Sequence, residues 1–349
     1  MTDKMSSKER LAAIRDGRQP DRLPIRLMFN SAAGVLCNMS FKEAFSSAVN
    51  YASCQIAAYR RYGCDGVNAS YSMPGIGMAL GAEIVRPENG NFFISKYPIQ
   101  SIGELSVLNL DKVKLENDAL AWQAMEVIDI LKKELGDEVG IGISFPGPAT
   151  GVVSLIGMEN FLKWMVKYPD VMNELLQFTT DAVKIISKPF LEKEVGIGLS
   201  DPAASGMILG AKRYQDYIFP YTKKIFEWWK AQGQKARGYH VCGNTTKILE
   251  SMAQTGSTSL SIDNMVSLKT AKEKVGYLLP ISGNIDPVQV IKDGTEQQMT
   301  IAIKKAYEDA GDSPKGFTLS PGCGIPVNTS REQMDLFVKT AKKYAEIYK

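Results

Sequence analysis

Short apolar segments with strand character recur along most of this chain, and helical patterns alternate with them. We expect strands at 23–30, 65–70, 139–145, 195–200, 236–242, 258–263, 278–283 and 317–320. Parallel strands need crossover connections, which are usually helices, whereas antiparallel strands can be joined by tight turns. The alternation therefore predicts an α/β fold, and eight such units favour a (β/α)8 TIM barrel over the alternative, a doubly wound open sheet.

Two parts of the chain depart from this alternation. Residues 7–16 have a short amphipathic helical pattern, which we interpret as a helical lead-in to the barrel. From 71 to 117 the rhythm breaks, and strand patterns at 83–86 and 91–96 flank a Pro- and Gly-containing turn, which predicts a β-hairpin within an insertion after the second strand. Barrels with insertions reach this length, so we expect a single domain over 1–349.

Composition limits the classes of partner. The chain is 44% hydrophobic and 23% charged, and its formal charge of +3 is spread without basic blocks. This is typical of a globular protein and gives no sign of nucleic-acid binding. The first residues lack an apolar signal segment and no apolar run has the length of a membrane span, so we expect a cytoplasmic protein with neither a membrane nor a nucleic-acid partner.

The cysteines are an odd number spread through a long chain, which argues against a disulfide framework and for reduced thiols. They are Cys37, Cys54, Cys64, Cys242 and Cys323. No GxGxxG follows the first strand and no GxxxxGK[ST] occurs anywhere, so a nucleotide cofactor is not supported.

The stretch His240-Val241-Cys242 contains the only histidine of the chain. In a strand, side chains two positions apart project from the same face, so the imidazole and the thiol would point together. A third donor, Cys323, follows another apolar segment, and His with two Cys would supply three ligands of a tetrahedral zinc site. The alternative is that these cysteines are buried as small hydrophobic side chains.

Further polar residues follow the predicted strands, where barrel enzymes have their active sites. Asp201 follows the fourth strand and Asp263 ends the sixth, and both are candidates for catalysis. Asn264, Asn284 and Asp286 extend the same arc. For Asp286, which precedes Pro287, helix N-capping is the favoured role.

Four motifs carry a resemblance to a known family. They are His240-Val241-Cys242-Gly243-Asn244, Ser320-Pro321-Gly322-Cys323-Gly324-Ile325, Ser200-Asp201-Pro202-Ala203-Ala204-Ser205, and the opening Glu9-Arg10-Leu11-Ala12-Ala13 with Pro20-Asp21-Arg22-Leu23-Pro24. Through them the chain resembles, nearly end to end, the uroporphyrinogen decarboxylase superfamily. Within it the chain is most similar to the zinc-dependent corrinoid methyltransferases, of which the methylcobalamin:coenzyme M methyltransferases match best.

The resemblance implies that His240, Cys242 and Cys323 hold zinc, which activates a small thiol such as coenzyme M. The thiolate would accept a methyl group from a methylcorrinoid carried by a separate corrinoid protein. Relatives commonly have Glu where this chain has Asp263. We expect Asp263 to be the displaceable fourth ligand, although its side chain reaches less far.

Several alternatives remain open at this point. The direction could be reversed, with methyl groups loaded onto the corrinoid, or the protein could be a non-catalytic partner of corrinoid proteins. Decarboxylases of the superfamily carry an arginine-rich segment near the first strand, whereas residues 26–34 contain one arginine, so porphyrinogen decarboxylation is disfavoured. The sulfonate of coenzyme M would need a basic or amide-rich pocket, and Arg26, Lys212 and Arg237 are not assigned to one by the sequence.

Overall fold

The predicted parallel sheet is the central element of the structure, a computed structural model that describes residues 3–29, 32–87 and 92–348. The strands are β1 (Val67–Ser70), β2 (Glu83–Val85), β3 (Phe93–Lys96), β4 (Ile141–Pro146), β5 (Gly196–Ser200), β6 (Arg237–His240), β7 (Ser259–Ser261), β8 (Ile281–Ile285) and β9 (Phe317–Pro321). Seven of them form a parallel sheet in the order β1-β4-β5-β6-β7-β8-β9, and β2 and β3 form a separate antiparallel pair. Residues 88–91, which belong to the predicted hairpin, lie outside the described residues.

Helices connect consecutive strands of the sheet, as parallel pairing requires. They are α1 (Ser7–Arg15), α2 (Phe41–Ala44), α3 (Ala48–Tyr62), α4 (Gly75–Ala79), α5 (Ala119–Leu135), α6 (Pro148–Lys167), α7 (Pro169–Leu191), α8 (Gly206–Arg213), α9 (Phe219–Ala231), α10 (Leu249–Ala253), α11 (Leu268–Val275), α12 (Glu296–Ala310) and α13 (Arg331–Ile347). None of the helices in the described ranges is long and apolar enough to cross a membrane. The result is an α/β, TIM-barrel-like fold.

The strand predicted at 23–30 forms only an isolated bridge, between Ile25 and Leu319 of β9. Pro24 has no N–H to donate, and the N–H of Ile25 donates to the carboxylate of Asp65 instead of to a backbone carbonyl. The segment still lies between the two edge strands: the Arg26 N–H donates to the Leu319 carbonyl at 2.9 Å and the Asp65 N–H to the Ile25 carbonyl at 2.7 Å. Asn30 is outside the described residues.

A buried ion network joins the N-terminal lead-in to this region. Arg10 and Arg22 both donate to the carboxylate of Asp65, at 2.5 and 2.7 Å, and both guanidiniums are almost completely buried. Arg10 also donates to Asp21 at 2.6 Å. Partial burial raises the pKa of Asp21, but the hydrogen bond from Arg10 outweighs this effect. The pKa of Asp21 is therefore well below its usual value. The network fixes α1 against the start of β1.

Alternate residues of the strands pack outward against the helices. Phe145 of β4 is buried and meets Phe190 of α7 edge to face, with ring centroids 5.4 Å apart, and Trp229 of α9 at 6.2 Å. The outward positions on β5 and β9 include Leu199 and Leu319, which are also buried. The apolar core therefore lies between the sheet and the helices, and the other strand face is left to the interior of the curled sheet.

Candidate metal centre

Three of the predicted metal ligands come together at the carboxyl ends of the strands. His240 is the last residue of β6, Cys242 lies in the turn that follows, and Cys323 lies in the turn after β9. The distance from His240 Nε2 to Cys242 Sγ is 3.2 Å, and the two sulfurs are 3.8 Å apart. All three donor atoms lie within 4.8 Å of one another. The arrangement can hold a metal ion from three sides.

The pairing of His240 with Cys242 has a different local origin from the one that strand alternation predicts. Because β6 ends at His240, Cys242 is outside the strand and is oriented by the turn. Gly243 follows with φ of +79°, a conformation that L side chains rarely adopt. A Cβ atom there would also lie 2.8 Å from Ser205 Oγ. Glycine is thus required for the chain to turn tightly enough to return the thiol to the imidazole.

The neighbouring strand orients the imidazole. His240 Nδ1 lies 3.0 Å from Ser261 Oγ and 3.3 Å from the Ser261 carbonyl, and β6 and β7 pair in register at these two residues. A proton on Nδ1 can be donated to Ser261, which leaves the lone pair of Nε2 directed at the cluster. Sequence reasoning missed Ser261, although it is the last inward position of the strand beside the histidine.

The two thiols titrate as a pair. Their hydrogen bond raises the pKa of Cys242, and burial raises it further. The same hydrogen bond lowers the pKa of Cys323, against the effect of burial and with the help of His240. One thiolate is therefore favoured even without a metal, and a cation would be required to hold both sulfurs ionised.

Asp263, the predicted fourth ligand, follows β7 and is buried. Its Oδ1 accepts a hydrogen bond from the Met265 N–H at 2.9 Å, which stabilises its own loop. The group of donor atoms within 4.8 Å consists of His240, Cys242 and Cys323 and does not include Asp263. Its role as a metal ligand stays a prediction.

Asp201, the second predicted catalytic residue, is fully buried beside the N-terminus of α6. Its Oδ1 accepts hydrogen bonds from the backbone N–H and the hydroxyl of Thr150, both at 2.7 Å, and its Oδ2 accepts one from the Ala149 N–H at 3.4 Å. Burial raises the pKa of Asp201 to about 6 in spite of these bonds. The side chain is engaged in capping a helix, and a catalytic role for it is untested.

The remaining polar residues of the predicted arc support the loops. Asp286 caps the turn after β8 by accepting from the Val288 and Gln289 N–H groups, both at 2.8 Å. Asn264 donates to Asp286, and Asn284 donates to the carbonyls of Asp263 and Val266. These contacts connect the loops after β7 and β8 beside the cluster.

The chain is similar to several known proteins. The uroporphyrinogen decarboxylase (URO-D) family matches residues 6–344. A methylcobamide:CoM methyltransferase, MtbA, of Methanosarcina acetivorans is 32% identical over 229 residues, which span 65% of each chain. Another, MtaA of Methanosarcina barkeri, is 25% identical over 97% of this chain and 98% of its own.

The fold has a solved counterpart. A methyltransferase from Methanosarcina mazei superposes with a TM-score of 0.84, covering 98% of this chain and 99% of its own at 23% identity. At that identity the likeness concerns the fold, while the family match extends over almost the whole sequence. The chain belongs to the uroporphyrinogen decarboxylase family.

Proposed function

We propose that this protein is a zinc-dependent methyltransferase that moves a methyl group from a methylated corrinoid, carried by a separate protein, to a small thiol such as coenzyme M. The observation that carries the proposal is the cluster of one imidazole and two thiols at the mouth of the curled sheet. The named activities of the two methyltransferase relatives support the same reaction class.

The donor set fits zinc in kind and in spacing. Two thiolates about 2.3 Å from a common ion at tetrahedral angles lie about 3.8 Å apart, and Cys242 and Cys323 have their sulfurs 3.8 Å apart. An imidazole and a thiolate in the same geometry lie about 3.6 Å apart, so the 3.2 Å between His240 Nε2 and Cys242 Sγ requires only a small opening. Three protein ligands are the number typical of a catalytic zinc site, which keeps a position for substrate.

Zinc, when bound, would favour the thiolate form of the substrate and leave its sulfur nucleophilic. The chain's own residues hold and orient the site: Ser261 fixes the histidine, and the tight turn at Gly243 fixes Cys242. In the transfer, a bond forms between the thiolate sulfur and the methyl carbon while the cobalt–carbon bond breaks. Its electron pair stays on cobalt, so Co(III) becomes Co(I).

Asp263 is retained in this proposal as the displaceable fourth ligand. To reach the metal, its carboxylate would have to give up the hydrogen bond from the Met265 N–H. Exchange of one anion for another, the carboxylate for the substrate thiolate, would keep the charge of the site constant and so lower the cost of substrate entry.

Exposed apolar side chains around the mouth support a partner that brings the corrinoid. Met207 lies in the first turn of α8, Met265 follows β7 and Val288 follows β8. The exposed fractions of these side chains are 60%, 51% and 47%. All three follow the carboxyl end of a strand, at the same end of the sheet as the cluster. A corrinoid is too large to enter the sheet interior, so its methylated face would be presented over this rim.

We also infer that the whole chain forms one cytoplasmic domain, a complete (β/α)8 barrel with an insertion over about 71–117. The segment around Ile25 would take the eighth position in the barrel wall. Its hydrogen bonds to Leu319 of β9 on one side and to Asp65, two residues before β1, on the other support this assignment.

Anaerobic incubation with methylcobalamin and a thiol tests the proposal, with release of cob(I)alamin followed by absorbance. We expect transfer by the zinc-loaded protein, and loss of both zinc and transfer in Cys242→Ala and Cys323→Ala. Cys54→Ala, which removes a buried thiol from α3, is the matched control and should keep both. Absence of transfer to every thiol, or full zinc and activity in either ligand variant, would overturn the proposal.

A further inference from the structure

Three sulfur atoms meet where the chain after the Ile25 bridge folds back on α3. A short 3-10 helix, Ala32–Cys37, packs against α3 and ends at Cys37, and Cys54 is the seventh residue of α3. Cys54 Sγ lies 3.9 Å from Met39 Sδ, and its thiol also shares a side-chain hydrogen bond with Cys37. Both cysteines are free thiols. This sulfur cluster is separate from the metal centre.

A tight turn places Cys37 and Met39 on the same side of the chain. Asn38, between them, has φ of +54°, which is uncommon for a residue other than glycine. The Met39 N–H donates to the Gly34 carbonyl at 3.0 Å. A Cβ atom on Gly34 would lie 2.8 Å from the Met39 carbonyl oxygen, so this close approach requires glycine. The turn therefore holds both sulfurs against α3.

The two thiols of the cluster differ in their access to solvent. Cys54 is buried, with 2% of its surface exposed, whereas Cys37 is half-buried. Burial, together with the neighbouring Cys37 thiol, raises the pKa of Cys54 to about 12. Cys54 therefore stays protonated at neutral pH. An oxidant from solvent reaches Cys37 first, and the thiol best placed to react with the oxidised Cys37 is that of Cys54.

The surroundings of Cys54 favour a disulfide over a second metal site. Tyr51, one turn earlier on α3, is buried beside Cys54, and its ring meets that of Phe45 with centroids 4.9 Å apart. A soft monovalent cation held by two thiolates would bury a net negative charge there, which is costly. A disulfide carries no charge and therefore suits an apolar site.

The segment that carries Cys37 is connected to the loop after β9. The Ile325 N–H donates to the Met28 carbonyl at 3.1 Å, and Ile325 lies two residues after the metal ligand Cys323. Arg331, at the start of α13, donates to the Val35 carbonyl at 3.0 Å. Covalent bonding draws two sulfurs closer than their non-bonded contact allows, so the segment must shift when the bond forms. These hydrogen bonds transmit that shift towards the metal centre.

We propose that Cys37 and Cys54 form a site of reversible oxidation, at which hydrogen peroxide converts two thiols to a disulfide and so alters the rim beside Cys323. The Cys37 sulfur attacks the O–O bond, becomes a sulfenic acid and releases one water. The Cys54 sulfur then attacks the sulfenic sulfur, and the departing hydroxyl leaves with the Cys54 proton as a second water. Peroxide gains two electrons, one from each sulfur. Disulfides that form in reducing compartments are usually transient and redox-sensing.

Peptide mapping tests the oxidation site without any assay of catalysis. The zinc-loaded protein is treated with a small excess of hydrogen peroxide, alkylated and digested with trypsin, which leaves Cys37 in peptide 27–42 and Cys54 in peptide 43–60. We expect these two peptides to be joined, lighter by two hydrogens, and separated by dithiothreitol. Cys64→Ala is the control, because Cys64 is also buried but has charged groups as neighbours, and it should form the same cross-link. Cys37 and Cys54 recovered without the cross-link would overturn the proposal.

A second test asks whether the disulfide affects the metal centre, and this part rests on the proposed function. Methyl transfer is measured for wild type and Cys54→Ala after the same peroxide treatment, before and after dithiothreitol. The wild type should lose about 10-fold or more of its rate and regain it on reduction, because small displacements near a reacting site are costly. Cys54→Ala has the same metal-centre thiols and should keep its rate. Equal losses in the two proteins would overturn the link to the rim. If neither reduced protein transferred methyl groups, the proposed function would fail, whereas the cross-linked peptide would still establish the oxidation site.

Discussion

Ser261 orients the imidazole of His240: the serine hydroxyl lies 3.0 Å from Nδ1, whereas the other ring nitrogen, Nε2, faces Cys242. The contact joins the ends of two paired strands, β6 and β7. A ring held in this way needs little reorganisation to accept a metal, and partners of this kind strengthen the ligand that they orient.

Ser261→Ala should therefore weaken zinc binding by about 10-fold without abolishing it. The Ser261 carbonyl, 3.3 Å from Nδ1, remains as a poorer acceptor. Competition for zinc with a chromophoric chelator measures the change. Ser259→Ala, two residues earlier on the same strand, is the control and should bind zinc as wild type. Equal affinities for all three proteins would show that Ser261 does not support the ligand.

Asp263→Ala should retain about one zinc per chain, because three donors remain. Asp263→Cys should bind zinc more tightly and resist thiol exchange, since four protein ligands make a closed site of the structural type. The zinc content of both variants is measured after dialysis with and without thiol, which shows how firmly each variant holds its metal. If Asp263→Ala lost zinc as completely as Cys242→Ala, Asp263 would be an indispensable ligand and not a displaceable one.

Asp201 should give stability a characteristic pH dependence. Burial raises its folded-state pKa to about 6, from 3.8. Its stabilising contribution is therefore full below about pH 4 and is lost as pH rises through about 6, by up to about 3 kcal/mol. Asp201→Asn cannot ionise and should lack this decline. Urea unfolding of the wild type and of Asp201→Asn at pH 4.5 and 7 measures this decline. If the difference in unfolding free energy between the two proteins were the same at both pH values, the raised pKa of Asp201 would be refuted.

Asp65→Ala should destabilise the protein by about 3–5 kcal/mol, because it leaves two buried guanidiniums short of a counter-ion. The control is Asp335→Ala, which removes the exposed partner of Arg61 and should cost at most about 1 kcal/mol. Both values come from urea unfolding at neutral pH. Similar losses in the two variants would mean that the buried network is not what holds the lead-in to the sheet.

Much of the fold could be predicted because strand and helix periodicities alternate along the sequence. That alternation implies parallel strands, and parallel strands bring their carboxyl ends to one rim. His240 and Cys323 are far apart in sequence, yet they could be assigned to one site for this reason. Family resemblance added the chemistry, which the spacing of one His and two Cys leaves open.

Other features depend on contacts that no local pattern encodes. The segment at Ile25 is a bridge and not a full strand, because Asp65 takes the hydrogen bond that a strand partner would accept. Asp201 follows a strand as a catalytic residue would, but the N-terminus of α6 approaches it and uses both carboxylate oxygens. The supporting role of Ser261 follows from the register of β6 with β7, which the sequence leaves unspecified.

The most direct test of the account is X-ray absorption at the zinc edge, recorded on the zinc-loaded protein with and without thiol. The resting site should show two sulfur ligands, from Cys242 and Cys323, and one imidazole, from His240. Addition of the substrate thiol should raise the sulfur count to about three, because the catalytic type of site keeps one exchangeable position. A sulfur count that stays at two with every thiol tried would contradict the claim that this cluster activates a thiol.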